Sequence, residues 1–116
     1  MRMTLSSGHS SVLVRQEKDE PSTSRKTGSL YAVVDLAKSP VDESQWFKVR
    51  ITVRGKQITI QLNDKTVVDY TEPDNVVRPA DRAGRKLNPE GGAIALQAHD
   101  PRSVFYFRSI RIRPLP

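Results

Sequence analysis

His99 is the residue of this sequence best suited to acid–base chemistry, and Asp100 follows it directly. An imidazole can act as a general base near neutral pH, and a neighbouring carboxylate can orient the ring or raise its pKa. Because consecutive strand residues point to opposite faces, we assign Asp100 to the turn that it forms with Pro101. His99 is therefore the candidate catalytic base, and the alternative is a polar side chain on a solvated strand face.

Three further polar residues are predicted to share a surface with His99, because each lies opposite the apolar positions of its own predicted strand: Arg15, Tyr31 and Gln97. A sugar site needs this mixture, since an aromatic ring packs against a pyranose while Arg or Gln hydrogen-bonds its hydroxyls. Each residue taken singly is better explained as solvated surface. We treat the three as candidate substrate-binding residues whose grouping depends on the order of the strands.

A polar segment, residues 71–91, leads into the strand predicted to carry His99. Its three prolines and scattered glycines exclude a long helix or strand, and loops of this length are usually functional or disordered. We expect the segment to fold over the rim of the surface around His99. It would then bring Arg82, Lys86 or Glu90 near a bound sugar.

Composition limits the other kinds of chemistry. There is no cysteine, and the two histidines, His9 and His99, show no ligand spacing, so we predict neither a metal site nor a cofactor. No apolar run approaches the roughly 18 residues of a membrane span, so membrane insertion is not expected. The net charge of +6 permits binding to anions, but the cations are spread over alternate strand positions. Aromatic residues other than Tyr106 are not interleaved with the basic clusters, so nucleic acid is not expected as the partner.

Hydrophobic periodicity predicts an all-β protein, an antiparallel β-sandwich or half of one, in a single domain of residues 1–116. The core is expected to combine Trp46, Phe47, Phe105 and Phe107 with the Ile and Val residues of the strands. No stretch shows sustained helical periodicity. Seven strands are predicted: residues 10–15, 29–36, 46–54, 57–62, 66–70, 93–99 and 104–113.

The strongest local signal is the pair of alternating runs on either side of residues 55–56. A two-residue turn there pairs every apolar residue of one run with an apolar residue of the other, and a slip of one residue would destroy this match. A third strand follows the turn at residues 63–64. The length of that turn decides whether Val67 or Val68 faces the core, and the sequence leaves both open.

Residues 93–99 and 104–113 are predicted to form a second hairpin around a polar corner, with Leu96 on the core face of the first strand. In a regular second strand, the phenylalanines would point to one face and the isoleucines to the other. A bulge near residues 108–109 would place all four on one core, and the alternative is a strand covered on both faces. The four residues concerned are Phe105, Phe107, Ile110 and Ile112.

Three stretches carry a family resemblance: WFKVRITVRGKQITIQLNDKTVVDYTEP, GRKLNPEGGAIALQAHDP and VFYFRSIRIRPL. Their order and spacing resemble the C-terminal half of the 3-keto-disaccharide hydrolase family, whose domains are concanavalin-A-like, laminin-G-like β-sandwiches of the jelly-roll type. The likeness covers roughly residues 10–116 and departs from the usual pattern at Asp64 and Ser109. The family's domain is longer and begins with strands that have no counterpart here. The chain is therefore expected to be the C-terminal portion of such a domain, truncated at the N-terminus, or a shortened relative.

The resemblance implies a glycoside hydrolase acting on 3-keto-glycosides or disaccharides by base-assisted elimination and hydration. Such a reaction needs one base and donors for an enolate oxygen rather than a pair of carboxylates. His99 or a loop carboxylate would be the base, with Arg15, Arg82 or Lys86 as electrostatic stabilisers. The alternative function is a non-catalytic, lectin-like carbohydrate-binding module on the same scaffold.

The expected partner is a carbohydrate, either a 3-keto sugar or an oligosaccharide. Missing N-terminal strands would leave an exposed sheet edge, through which we expect a homodimer. The family resemblance indicates a bacterial periplasmic or secreted protein. Residues 1–5 lack an apolar h-region, so no signal peptide is expected in this sequence.

Overall fold

The computed structural model describes residues 8–18, 26–97, 101 and 103–116, except for the side chains of residues 17 and 18. The all-β, antiparallel class is confirmed, and a single sheet beneath a layer of loops is compatible with a β-sandwich. The strands are β1 (Gly8–Lys18), β2 (Phe47–Arg54), β3 (Gln57–Leu62), β4 (Lys65–Thr71) and β5 (Val104–Pro114), in the sheet order β4-β3-β2-β1-β5. Within these described ranges no helix is long and apolar enough to cross a membrane.

The central hairpin, β2 and β3, has the predicted register. Val49 lies opposite Leu62, and Thr52 lies opposite Thr59. Gly55 opens the two-residue turn with a φ of +58°, a left-handed conformation that glycine adopts at little cost. The alternating sequence therefore determines both the pairing and the faces of these two strands.

The junction of β3 and β4 settles which of two adjacent valines faces the core. Asn63 and Asp64 both have positive φ and form a two-residue turn. A register shift next to Ile60 then adds one residue to β4. As a result Val68 is buried opposite Ile60, while Val67 also packs against the core cluster. A bulge thus brings both valines to the same side.

Strand β5 pairs with β1, so the predicted hairpin with residues 93–99 is wrong over the described residues 93–97, which form no strand. The predicted bulge is confirmed: Leu13 faces Arg108 while Ser11 faces Arg111, and Ser109 has a φ of +53°. The extra residue brings the apolar side chains before and after the bulge to the same face of the sheet. Of these, Phe105 and Phe107 pack against the core, whereas Ile110 remains 46% exposed.

The predicted strand at residues 29–36 is also wrong. This segment is a tight turn closed by a single bridge between Leu30 and Val34. The Asp35 carboxylate accepts a hydrogen bond from the Ala32 amide, and the Ser29 hydroxyl accepts one from the Leu36 amide. Short polar side chains offer the backbone local partners in this way, and here they compete successfully with a sheet ladder.

The sheet has an apolar face, which carries Val14, Phe47 and Leu62, and a polar face, which carries the alternate residues of the strands. Residues 26–46 cover one end of the apolar face, where Gly28 approaches Leu62 closely. The predicted core position Leu96 is 50% exposed. Its neighbours Ala95 and Gln97 provide little apolar surface to bury, which is consistent with its failure to join a strand.

Candidate functional site

The polar face of the sheet gathers side chains that are far apart in the sequence. Strand register places them in cross-strand rows, and successive rows lie about 7 Å apart because two strand residues span that distance. Cations that are spread along alternate positions of single strands therefore become neighbours. The rows contain Thr52, His9 and Arg113; then Arg50, Ser11 and Arg111; then Lys48, Leu13 and Arg108; and finally Arg15 and Tyr106.

His9 has an unusual electrostatic environment in the first of these rows. Its partial burial, and then the positive charges of Arg50 and Arg113, lower the pKa of the imidazole from its ordinary value. The ring is therefore neutral at neutral pH and can accept a proton. Two guanidinium groups stand near enough to influence it, and guanidinium groups stabilise oxyanions.

The far end of the polar face combines arginines with aromatic rings. The Arg15 guanidinium carbon lies 4.6 Å from the ring centroid of Tyr106 and 5.8 Å from that of Trp46. The Arg108 guanidinium carbon lies 4.0 Å from the Trp46 centroid. Trp46, which was predicted to be core, is 36% exposed and Tyr106 is 39% exposed. This end therefore presents cationic N–H groups whose guanidinium carbons lie over the aromatic rings.

Some polar groups on the polar face have no hydrogen-bond partner within the protein. The Nε atoms of Arg15 and Arg50 are buried and have no hydrogen-bond partner. Lys48 pairs with Asp64 at 2.6 Å, and a hydrogen bond from Lys48 lowers the pKa of that carboxyl. Between described residues, no ion pair involves the arginines of the rows. Buried polar groups without partners are uncommon in folded proteins, so these two atoms show that the protein's own acceptors do not satisfy the two guanidinium groups fully.

A second aromatic–cation cluster lies on the other side of the sheet, among the segments that cover the apolar face. The ring of Tyr31 has the Arg85 guanidinium carbon at 4.7 Å and that of Arg82 at 5.7 Å. Arg78 donates to the hydroxyl of Tyr70, and the carboxylate of Glu72 accepts from the Leu87 amide. These contacts fasten the long polar segment to the sheet. A structural role explains the cluster.

The same segment borders a cavity of about 340 Å³ over the uncovered end of the apolar face. Its lining includes Ile51 and Val53 of β2, and Lys86, Leu87 and Ile94 from the segments outside the strands. The lining is mostly apolar. Within the described ranges, no group of three or more His, Asp or Glu side chains is arranged to hold a metal ion.

The sequence model of the 3-keto-alpha-glucoside-1,2-lyase-like domain matches residues 6–113. The chain belongs to this family. No curated protein and no solved structure matches it. Membership in a family of 3-keto-glucoside lyase-like domains supports a role in carbohydrate chemistry. The polar face carries the residues that are best suited to such a role.

The structure distributes the predicted site residues of this lyase-like domain over separate places. Arg15 lies on the polar face, as expected from its strand. Tyr31 and Arg82 are together but on the opposite side of the sheet, because Tyr31 lies in a turn. Lys86 borders the cavity, Glu90 and Gln97 are exposed in loops, and His99 lies outside the described residues. The structure places Arg15 against Tyr106 and Trp46, and Tyr31 against Arg82 and Arg85.

Several polar-face residues were not proposed from the sequence: His9, Trp46, Arg50, Tyr106, Arg108 and Arg113. Strand alternation carried the necessary signal for Arg50, which lies between core positions of β2. The signal for His9 was weaker because β1 was expected to begin at Ser10. What the sequence could not supply was the order β2-β1-β5, which turns three separate alternations into one surface.

Proposed function

We propose that this 3-keto-glucoside lyase-like domain acts on 3-keto-glycosides by base-assisted elimination followed by hydration. The observation that carries the proposal is the position of His9 on the polar face beside Arg50 and Arg113, whose positive charges add to the effect of burial in lowering the pKa of its imidazole. Family membership supports a 3-keto-glycoside as the class of substrate. The combination of one base with cationic donors is what this chemistry requires.

The reaction starts from the acidity that a C3 ketone confers on the C2 hydrogen of the sugar. A base takes this proton, and the electron pair of the C2–H bond enters an enolate whose oxygen is the former ketone oxygen. The enolate then re-forms the ketone as the C1–O bond breaks, and the leaving oxygen takes up a proton. Water adds across the resulting C1=C2 bond. The overall change is hydrolysis of the glycosidic bond, with no net oxidation or reduction.

His9 is assigned as the proton acceptor within the described part of the chain, and Arg50 and Arg113 stabilise the enolate oxygen. General base catalysis typically contributes about 10²- to 10⁴-fold, and one oxyanion donor about 10²- to 10³-fold. His99 keeps the role of base proposed from the sequence. The two histidines are therefore competing candidates that mutation can separate.

The deciding experiment is incubation of the protein with a 3-keto-disaccharide and measurement of the released monosaccharide. Release above the uncatalysed rate supports the proposal. Saturable binding without release favours the alternative function, a carbohydrate-binding module on the same polar face. Failure both to bind and to release would exclude both functions for this substrate class.

The pH dependence of turnover tests the role of His9. Since kcat/KM reports the pKa of the free enzyme's base, it should fall at low pH as His9 becomes protonated. Arg113→Gln removes a positive charge that lowers the pKa of His9. The pKa should then rise, and the acidic limb of the profile should move to higher pH. Arg54→Gln is the control, since Arg54 does not contribute to the pKa of His9. A limb that stays in place in Arg113→Gln would assign the titrating base to another residue.

We also propose that the protein forms a homodimer through the outer edge of β5. This strand is the last of the sheet among the described residues and has 11 residues, with Val104 and Ile110 exposed. Long unpaired edges offer backbone N–H and C=O groups to a second chain, and a two-fold axis would join two such edges antiparallel. Sedimentation analysis should show a concentration-dependent dimer in the wild type and a monomer in Ile110→Pro. A dimer that survives this substitution would place the interface elsewhere.

A further inference from the structure

We infer that the end of the polar face around Arg15 and Arg108 is a subsite for an acidic sugar unit of an extended glycan. Its carboxylate or sulfate group would be held by the two guanidinium groups while the reaction takes place near His9. The inference rests on the proposed function, because it names the substrate class for the same face.

The geometry of the two arginines suits an anion. Each guanidinium lies over an aromatic ring, with Arg15 nearest Tyr106 and Arg108 nearest Trp46. A stacked guanidinium uses its flat face for the ring and keeps its in-plane N–H groups for other partners. Those groups form the fork that binds a carboxylate or sulfate through two parallel hydrogen bonds. The rings thus hold the arginines in place before the ligand arrives.

The positive charge of this surface also favours an anionic ligand. The buried Nε of Arg15 has no acceptor, and between described residues neither Arg15 nor Arg108 belongs to an ion pair. A neutral sugar could hydrogen-bond these groups but would leave the positive charges uncompensated. A row of like charges on one face raises the local concentration of anionic ligands. An acidic sugar unit therefore fits better than a neutral one.

The distance from His9 determines how long the ligand must be. His9 and Arg15 are six residues apart on the same face of β1, which corresponds to about 20 Å along the strand. This is longer than two linked sugar rings, so one ligand that contacts both places must be an oligosaccharide. The intermediate rows of the same face have Ser11 and Leu13 at their centre, with basic side chains of β2 and β5 on either side.

Single-stranded nucleic acid is the competing class of anion for a basic, aromatic surface. Binding of that kind relies on open ring faces on which the bases stack. Here the rings of Tyr106 and Trp46 already carry guanidinium groups. The favoured ligand is therefore one that uses the N–H groups of the arginines rather than the rings.

The test is a calorimetric titration of the full chain with four probes of matched length. They are a uronate oligosaccharide, a sulfated oligosaccharide, a neutral oligosaccharide and single-stranded DNA. We expect at least one acidic oligosaccharide to bind about tenfold more tightly than the neutral one, the size expected of a charge-assisted hydrogen bond. The uronate and sulfate probes distinguish the two sources of negative charge. Equal affinity for the neutral probe, or tighter binding to DNA, would overturn the inference.

Four variants locate the binding on the polar face. Arg15→Gln and Arg108→Gln should each weaken acidic binding about tenfold, whereas Arg54→Gln removes the same charge at the far end of β2 and should change it little. Arg15→Lys keeps the charge but loses the fork, and should remain weaker than the wild type. Equal weakening in the three Gln variants, with Arg15→Lys binding as tightly as the wild type, would reduce the effect to net charge and overturn the subsite. Because binding is measured without turnover, an inactive but selective protein would refute the proposed reaction and leave the subsite standing.

Discussion

The His9→Gln variant is expected to release monosaccharide from a 3-keto-disaccharide about 10²- to 10⁴-fold more slowly than the wild type. Glutamine keeps a polar side chain of similar size, but its amide cannot accept the C2 proton. His9 is only partly buried, so the substitution should cost little stability, and an unchanged unfolding midpoint would confirm this. The measurement is kcat/KM from initial rates at a pH where the imidazole of the wild type is neutral.

His99→Ala provides the comparison in the same assay. If His9 is the base, this variant should retain far more activity than His9→Gln. The opposite order, with His99→Ala inactive and His9→Gln close to wild type, would transfer the catalytic role to the residue proposed from the sequence. Similar large losses in both variants would indicate that one histidine acts as base and the other as proton donor to the leaving oxygen.

Sequence reasoning performed best where a strand pairs with its chain neighbour. In β2 and β3 the register follows from matching apolar positions, and the glycine of the turn fixes their connection. The bulge at Ser109 was also predictable, because a parity change within one apolar run has few physical explanations. These features depend on residues that are near one another in the sequence.

The errors arose where local and distant interactions compete. Residues 29–36 alternate as a strand should, yet Ser29 and Asp35 stabilise a turn through their own side chains. Residues 93–97 lack a partner strand within the described part of the chain, and nothing in their own pattern reveals this. Alternation shows that a segment is able to pair, but it does not show that a place in the sheet is available.

The candidate site illustrates the same limit in a different way. The sequence correctly placed Arg15 opposite the core positions of its strand. It placed Trp46 in the core, because a large aromatic residue beside Phe47 is usually buried. In the structure the Trp46 ring instead supports the guanidinium groups of Arg15 and Arg108. Only the order of the strands brings these three residues together, and that order depends on pairing between the two ends of the chain.

The largest change in stability is expected from Leu62→Ala. Leu62 is 1% exposed, packs with Val14 and Phe47, and lies close to the backbone of Gly28. Removing its side chain leaves a cavity at the centre of a small core, and we expect a loss of about 2 to 5 kcal/mol. A domain with a total stability of about 5 to 15 kcal/mol would lose a large part of it.

Leu96→Ala is the matched control: Leu96 is 50% exposed, so the same substitution there should cost well below half as much. Urea unfolding should show a lower midpoint for Leu62→Ala with an unchanged slope. Equal losses in the two variants would mean that Leu96 is covered in solution, and that the apolar face carries a second layer over that segment.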